Sequence, residues 1–177
     1  MGAKHPLDCH ERALRLLSVR HRSRRELQLR LLRAGFEHDE VEDELARLED
    51  VGLVDDEEFA RQVVEHELTV RRSGRRAVQS RLAAKGVAKE TIELTIQEAT
   101  EGGGSDEERA LELATDRASR LHGLAPERAF SRLTGFLARR GYDPQTARGA
   151  ARRALELEAD GGERPLPHAS GRRTLGS

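Results

Sequence analysis

The sequence has few aromatic residues, one cysteine and no long apolar segment. Aromatic side chains make up only 3% of the 177 residues, so we expect several small cores rather than one thick core. A single cysteine, Cys9, excludes an internal disulfide framework. No apolar run approaches the ~20 residues of a membrane-spanning helix. The amino end also carries no apolar signal segment, so we expect a cytoplasmic protein without membrane contact.

One block of sequence occurs three times. An Arg-Arg pair leads to Gly35 in the first copy and to Gly86 in the second, 51 positions later. The third copy ends at Gly141, a further 55 positions along the chain. Each of these glycines is followed by an apolar residue. A repeat of this length is a supersecondary unit that buries its apolar face by stacking on its neighbours.

Apolar residues spaced three and four positions apart indicate three helices in each copy. We therefore predict an all-α fold, an elongated array of three tandem three-helix repeats. The predicted apolar stripes include Leu14, Val70 and Leu111. The repeats cover 9–53, 54–101 and, with a linker, 102–158. Residues 1–8 and 159–177 lack periodicity and are predicted to be flexible tails.

The helix ends carry recognisable signals. The three repeated glycines suit left-handed helix C-terminal caps, and Asp143 before Pro144 suits an N-cap. Between the first two repeats, Gly52 and Asp55 predict a helix end and a helix start joined by a rigid junction. Glu58 has capping-box spacing from Asp55, and Val54 and Phe59 are predicted to pack as a hydrophobic staple. Val54 is assigned to the second repeat.

The segment 101–105 contains three glycines and offers no cap. A glycine-rich connection of this kind fixes no angle between the elements that it joins. We therefore expect the third repeat to move relative to the first two.

The sequence offers poor material for catalysis. His5, Cys9 and His10 lack a second paired motif for zinc. The acidic run 55–58 stands at a helix start, where capping explains it better than a metal site or a carboxylate pair. His66 is expected to be a partly buried histidine rather than a ligand. We predict no enzyme activity, no cofactor and no metal.

Basic residues supply the better lead. Arg20, Arg24 and Arg25 recur 51 positions later as arginines, at equivalent corners of the first two repeats. Stacked repeats would align the corners into a positive stripe suited to an anionic partner. Residues 37–58 hold twelve acidic side chains against one arginine, so both signs are displayed. The candidate binding residues are Arg20, Arg22, Arg24, Arg25, Arg71, Arg72, Arg75, Arg76, Arg81, Lys85, Arg139 and Arg140.

The order and spacing of several motifs resemble the RecX family, bacterial modulators of the RecA recombinase. The specific elements are Gly52-Leu53-Val54-Asp55-Asp56 with Phe59-Ala60, then Gly74 with Arg81-Leu82 and Lys85-Gly86-Val87. The third copy departs most, because Phe130 and Ser131 stand where the arginine pair is expected, with Arg139 and Arg140 as possible substitutes.

The resemblance implies an elongated helical monomer in the groove of the RecA–DNA filament, with weak affinity for DNA. It further implies that the protein restrains the filament, damping strand exchange, ATP hydrolysis and coprotease action in DNA recombination, DNA repair and the SOS response. Two alternatives stay open: a helix-turn-helix-like nucleic-acid-binding regulator, and a helical-repeat scaffold for another protein.

Overall fold

The computed structural model describes residues 7–101 and 104–161, and its regular secondary structure there is helical throughout. This confirms the predicted all-α array of three tandem three-helix repeats, which we call units 1, 2 and 3. Their helices are α1 Cys9–Leu17, α2 Arg24–Ala34 and α3 His38–Asp50; α4 Asp56–Glu65, α5 Arg75–Ala84 and α6 Lys89–Glu101; and α7 Asp106–Ala118, α8 Pro126–Arg139 and α9 Pro144–Gly161. In the described residues, no helix is long and apolar enough to cross a membrane.

Each unit packs around its own small core. In unit 1, Leu27 and Leu31 of α2 meet Leu45 of α3, and all three are fully buried. Unit 2 repeats the arrangement with Val78, Leu82 and further residues of α4 and α6. Unit 3 differs because α7 and α9 face each other mainly through alanines, which allow two helices to approach closely. Three cores of modest size are therefore present, as the low aromatic content predicted.

The predicted helix ends are largely confirmed. Gly35, Gly86 and Gly141 have φ values of 96°, 82° and 88°, as a left-handed C-terminal cap requires. The Asp143 carboxylate accepts hydrogen bonds from two backbone amides at the start of α9. Asp55 caps α4 in the same way.

Several details differ from the predictions. Leu14 and Val70 are 37% and 69% exposed, so neither belongs to a core, and Leu111 is only partly buried. In unit 2 the chain forms a π-helical turn, His66–Val70, which shifts the buried face onto Leu68 and leaves His66 exposed.

The junction between α3 and α4 also differs. Glu58 bonds to Arg61 and Gln62 instead of completing a capping box. Val54 packs in the core of unit 1, whereas Phe59 packs in that of unit 2. The first core therefore extends one residue beyond the predicted boundary at 53.

The predicted tails fall mostly outside the described residues. Helix α1 begins at Cys9, directly after its cap Asp8, while residues 1–6 are not described. Helix α9 runs to Gly161, three residues into the segment predicted as a tail, and 162–177 lie outside the description. Residues 102 and 103 of the predicted linker lie outside it as well.

The middle helices of units 1 and 2 meet end to end. The hydroxyl of Ser23, the N-cap of α2, donates to the carbonyl oxygen of Lys85 at the C-terminus of α5 over 2.6 Å. The backbone N–H of Arg24 donates to the carboxylate of Asp56, the first residue of α4, over 2.8 Å. The amino end of α2 is thus capped by groups from the next unit, an arrangement that also aligns the two helix dipoles favourably.

Units 2 and 3 repeat this junction. Gly74, the N-cap of α5, donates its N–H to the carbonyl oxygen of Arg140 at the end of α8 over 2.9 Å. The N–H of Arg75 donates to the carboxylate of Asp106, the first residue of α7, over 3.1 Å. Arg76 adds a backbone bond to the oxygen of Gly141 over 3.1 Å.

These bonds correct the prediction that unit 3 is loosely attached. Its first helix also has the cap that the sequence reasoning did not find, because Ser105 and Glu108 form a reciprocal capping box. The Tyr142 hydroxyl donates to the backbone oxygen of Arg72, and the Arg72 guanidinium bonds to Asp116 over 2.8 Å. Unit 3 is therefore docked on unit 2.

Candidate interaction surface

Arg25 and Arg76 occupy equivalent corners at the two junctions. The aliphatic stem of Arg25 lies where a Cβ on Gly86 would project, and Arg76 bonds through its backbone to Gly141. Both residues are exposed. The two corners lie at opposite ends of α5, and at 1.5 Å per residue they are about 15 Å apart along that helix. Units 1 and 2 thus each present an exposed arginine at an equivalent place.

Three carboxylates of unit 1 form ion pairs with several of the other candidates. Glu26 accepts from Arg20 over 2.9 Å and from Lys85 over 2.5 Å. Burial alone would raise the pKa of Glu26, but these hydrogen bonds and charges lower it to about 2. Arg24 pairs with Glu42 and Glu49, each over 2.9 Å. The side chains of Arg20, Arg24 and Lys85 therefore stabilise unit 1 and its contact with unit 2.

Glu67 plays the same part in unit 2. It is 2% exposed, accepts from the Ser73 hydroxyl over 2.8 Å, and pairs with Arg81 over 2.9 Å. Arg71 approaches the same carboxylate at 3.6 Å. A buried carboxylate needs such partners, so Arg81 has a structural role.

The guanidinium groups of two further candidates make contacts within the protein. Arg22 is only 7% exposed and donates from Nε to the oxygen of Leu16, so its side chain is not part of the outer surface. Arg140 reaches the backbone oxygen of Arg71 and lies over the Phe136 ring at 5.4 Å. It stands where unit 2 has Lys85, not where the arginine pair stands, so it contributes to docking.

Four candidates keep accessible guanidinium groups. Among the described side chains, those of residues 7–101 and 104–156, Arg25, Arg75, Arg76 and Arg139 are exposed and form no ion pair. We call these four residues the free arginines. They adjoin the two junctions, at either end of α5 and at the end of α8.

The described residues hold no cluster of histidine, cysteine and carboxylate groups suited to a metal ion. His10 contacts Glu44 at 2.7 Å, and His5 lies outside the description. Burial, together with nearby carboxylates, raises the pKa of the Cys9 thiol to about 11, which keeps it protonated and unreactive near neutrality. Asp55 is used as a helix cap.

Sequence reasoning missed a second basic group, formed by Arg12, Arg30 and Arg33. These residues line a cleft between units 1 and 2. Arg30 and Arg33 are three positions apart on α2, and this spacing could have placed them on one face of the helix. The recurring pair Arg24-Arg25 is the stronger sequence signal, so Arg30 and Arg33 were not singled out.

Comparison with known proteins agrees with the fold. Family models described as the first and second three-helix domains of RecX match residues 9–48 and 55–96. A protein named Regulatory protein RecX from Mycobacterium sp. (strain KMS) is 39% identical over 143 residues, which cover 78% of this chain and 76% of that protein. Its namesake from Streptomyces coelicolor is 35% identical over 148 residues, 83% of this chain and 77% of that one.

A crystal structure of RecX from Lactobacillus salivarius superposes with a TM-score of 0.73 at 20% identity, covering 84% of this chain and 95% of that chain. The likeness supports the fold alone. Fold and surface together define a helical-repeat protein whose described residues present charged corners. The identity to the curated relatives goes further: this chain belongs to the RecX family. The curated relatives carry the name of regulatory proteins, as the sequence resemblance implied.

Proposed function

We propose that this chain is a non-enzymatic regulator of RecA that binds the RecA–DNA filament in its groove through the free arginines. The observation that carries the proposal is the repeated junction, which holds Arg25 and Arg76 exposed at equivalent places and, among the described residues, without an ion pair. An exposed guanidinium without an ion pair is available to a carboxylate or a phosphate at little cost in folding stability.

The protein displays both basic and acidic surfaces, which supports a partner that contains both protein and nucleic acid. Helix α3 exposes Asp39, Glu40 and Asp43 on the same unit that carries the basic corner of Arg25. A filament groove displays protein side chains of both signs close to nucleic-acid phosphates, and such a mixed surface matches one that is basic at the corners and acidic at the flank. A bare polyanion would match the basic corners but not the acidic flank.

On this proposal the protein restrains growth or stability of the filament. Strand exchange, ATP hydrolysis and coprotease action would fall together because all three require the filament. The protein would thereby act in homologous recombination, DNA repair and the SOS response, as a monomer in the cytoplasm.

The charges of α3 and α6 disfavour the helix-turn-helix alternative. In such units one helix enters the major groove and needs basic or amide side chains on its outer face. Helix α3 carries seven acidic residues against Arg47 and His38, and α6 carries four against Lys89. Phosphates would repel both helices.

The experiment is RecA-dependent ATP turnover on single-stranded DNA. We expect turnover to fall when the protein is added below one molecule per RecA, and the double variant Arg25→Glu/Arg76→Glu to lose this effect. The control Arg128→Glu/Arg132→Glu makes the same charge change at exposed positions of α8 and should inhibit normally. Unchanged turnover at a several-fold excess of the unaltered protein would contradict the proposal.

Co-sedimentation separates the filament from its parts. Pelleting with preassembled filament should exceed pelleting with free RecA or with free DNA, at both low and moderate salt. Equal pelleting with all three would assign the interaction to nonspecific charge.

A further inference from the structure

A basic cleft of about 560 Å³ lies between units 1 and 2, apart from the free arginines. It is lined by α1, α2 and the end of α5. Its charged lining residues are Arg12, Arg30, Arg33, Lys85 and a single carboxylate, Glu26. This cleft is distinct from the corners because its residues face the space between the units.

The positive charge of the cleft is not balanced internally. Glu26 is already shared by Lys85 and Arg20. In the described part of the chain, Arg12, Arg30 and Arg33 form no ion pair. One carboxylate therefore faces several cations, and the excess attracts an anion.

A buried guanidinium adjoins the cleft and lacks a full set of partners. Arg22 is 7% exposed and does not itself line the cleft, but its Nε donates to the backbone oxygen of Leu16, which does. Among the described residues, neither Nη1 of Arg22 nor the buried Nε of Arg12 has a hydrogen-bond partner. Burial, and then the charges of Arg20 and Arg30, lower the pKa of Arg22. Unmet donors on a buried cation are costly, and an oxyanion beside them offsets that cost.

We infer that this cleft binds a phosphate group, with the phosphodiester backbone of a nucleic acid as its source. Guanidinium groups grip phosphate oxygens in pairs, and a tetrahedral phosphate can accept from several arginines at once. The lining includes no aromatic residue on which a base could stack, so the cleft is suited to the backbone rather than to a nucleobase. The inference assigns a site to the weak affinity for DNA expected from the sequence. It can fail while the proposed function holds, because the arginines of the cleft are not the free arginines.

The test uses the full chain and a fluorescein-labelled oligothymidylate, followed by anisotropy at several salt concentrations. The double variant Arg30→Glu/Arg33→Glu should bind at least tenfold more weakly. The slope of log affinity against log salt should also fall by roughly 0.7 per lost phosphate contact. The control Arg128→Glu/Arg132→Glu carries the same charge change in unit 3 and should bind as the unaltered protein does. Circular dichroism verifies that both variants are folded.

Competition distinguishes the sources of the phosphate. Displacement of the probe by unlabelled oligothymidylate, with ATP and pyrophosphate far weaker, supports the backbone. Displacement by ATP or pyrophosphate at concentrations similar to those of oligothymidylate would still support a phosphate site, but with a free nucleotide as its ligand. Equal displacement by polyglutamate would overturn the inference in favour of an acidic peptide. Equal loss of binding in both double variants, or in neither, would overturn it as well.

Discussion

The docking of unit 3 on unit 2 depends on the absence of a side chain at Gly74. This residue has a φ of −74°, which any amino acid adopts, so no backbone strain requires glycine. A Cβ at this position would lie 2.5 Å from the backbone carbon of Gly141 and 2.5 Å from the backbone nitrogen of Tyr142. Backbone atoms cannot move aside as a flexible side chain can. The substitution Gly74→Ala therefore tests the junction itself.

Two routes give the same magnitude for Gly74→Ala. If the junction stays closed, the added methyl group overpacks it, at a cost of about 1–3 kcal/mol. If the junction opens, the bonds from Gly74 to Arg140 and from Arg76 to Gly141 are lost, at about 1 kcal/mol each. We expect the free energy of unfolding to fall by roughly 1–3 kcal/mol, and the midpoint temperature by about 2–4 °C per kcal/mol.

The assay is urea and thermal unfolding, with Gly149→Ala as the control. Gly149 lies on the exposed side of α9, and a Cβ there would meet nothing within 4 Å. Alanine should raise stability there by about 0.5–1 kcal/mol because it favours helix. The two alanines should thus act in opposite directions. A Gly74→Ala protein within about 0.5 kcal/mol of the unaltered one would refute the docked junction.

Two further predictions concern ion pairs within unit 1 and between units 1 and 2. Arg24→Glu should lower the free energy of unfolding in urea by roughly 1–2 kcal/mol, because it breaks the ion pairs with Glu42 and Glu49. Arg25→Glu should change that free energy by less than about 0.5 kcal/mol. Equal effects would contradict the assignment of Arg24 to a structural role and Arg25 to the free arginines. The pKa of Glu26 is held at about 2, below its ordinary 4.5, so the stability from its ion pairs is complete above pH 4.5 and lost as pH falls toward 2. Unfolding curves across that range should show the loss, and Glu26→Gln should remove that contribution to the slope.

The repeat, the helix count and most helix ends could be predicted because each depends on residues near one another in sequence. A glycine after an apolar stripe marks a left-handed cap wherever it occurs, which is why Gly35, Gly86 and Gly141 were assigned correctly. The capping box of Ser105 and Glu108 has an equally local signal. It was missed because the adjacent glycines indicated a loose connection.

The contacts between units could not be predicted in the same way. Arg24 meets Asp56 across 32 positions, and Tyr142 meets Arg72 across 70. No local pattern indicates that an aspartate at the start of one helix caps a helix in the preceding unit. The division between free and occupied arginines was equally hidden, because it depends on which carboxylates the fold brings near.

The arginine pair recurs at one structural place, the first turn of a middle helix that meets the next unit. In units 1 and 2 the pair opens a middle helix whose first amides bond to the next unit. In unit 3 the helix α8 begins earlier, at Pro126, so Phe130 and Ser131 lie within the helix, where no such bond is made. Unit 3 therefore has no equivalent helix start at which the pair could stand. Recurrence alone thus supports the junction, and a binding role must be argued from the guanidinium groups that the junction leaves exposed.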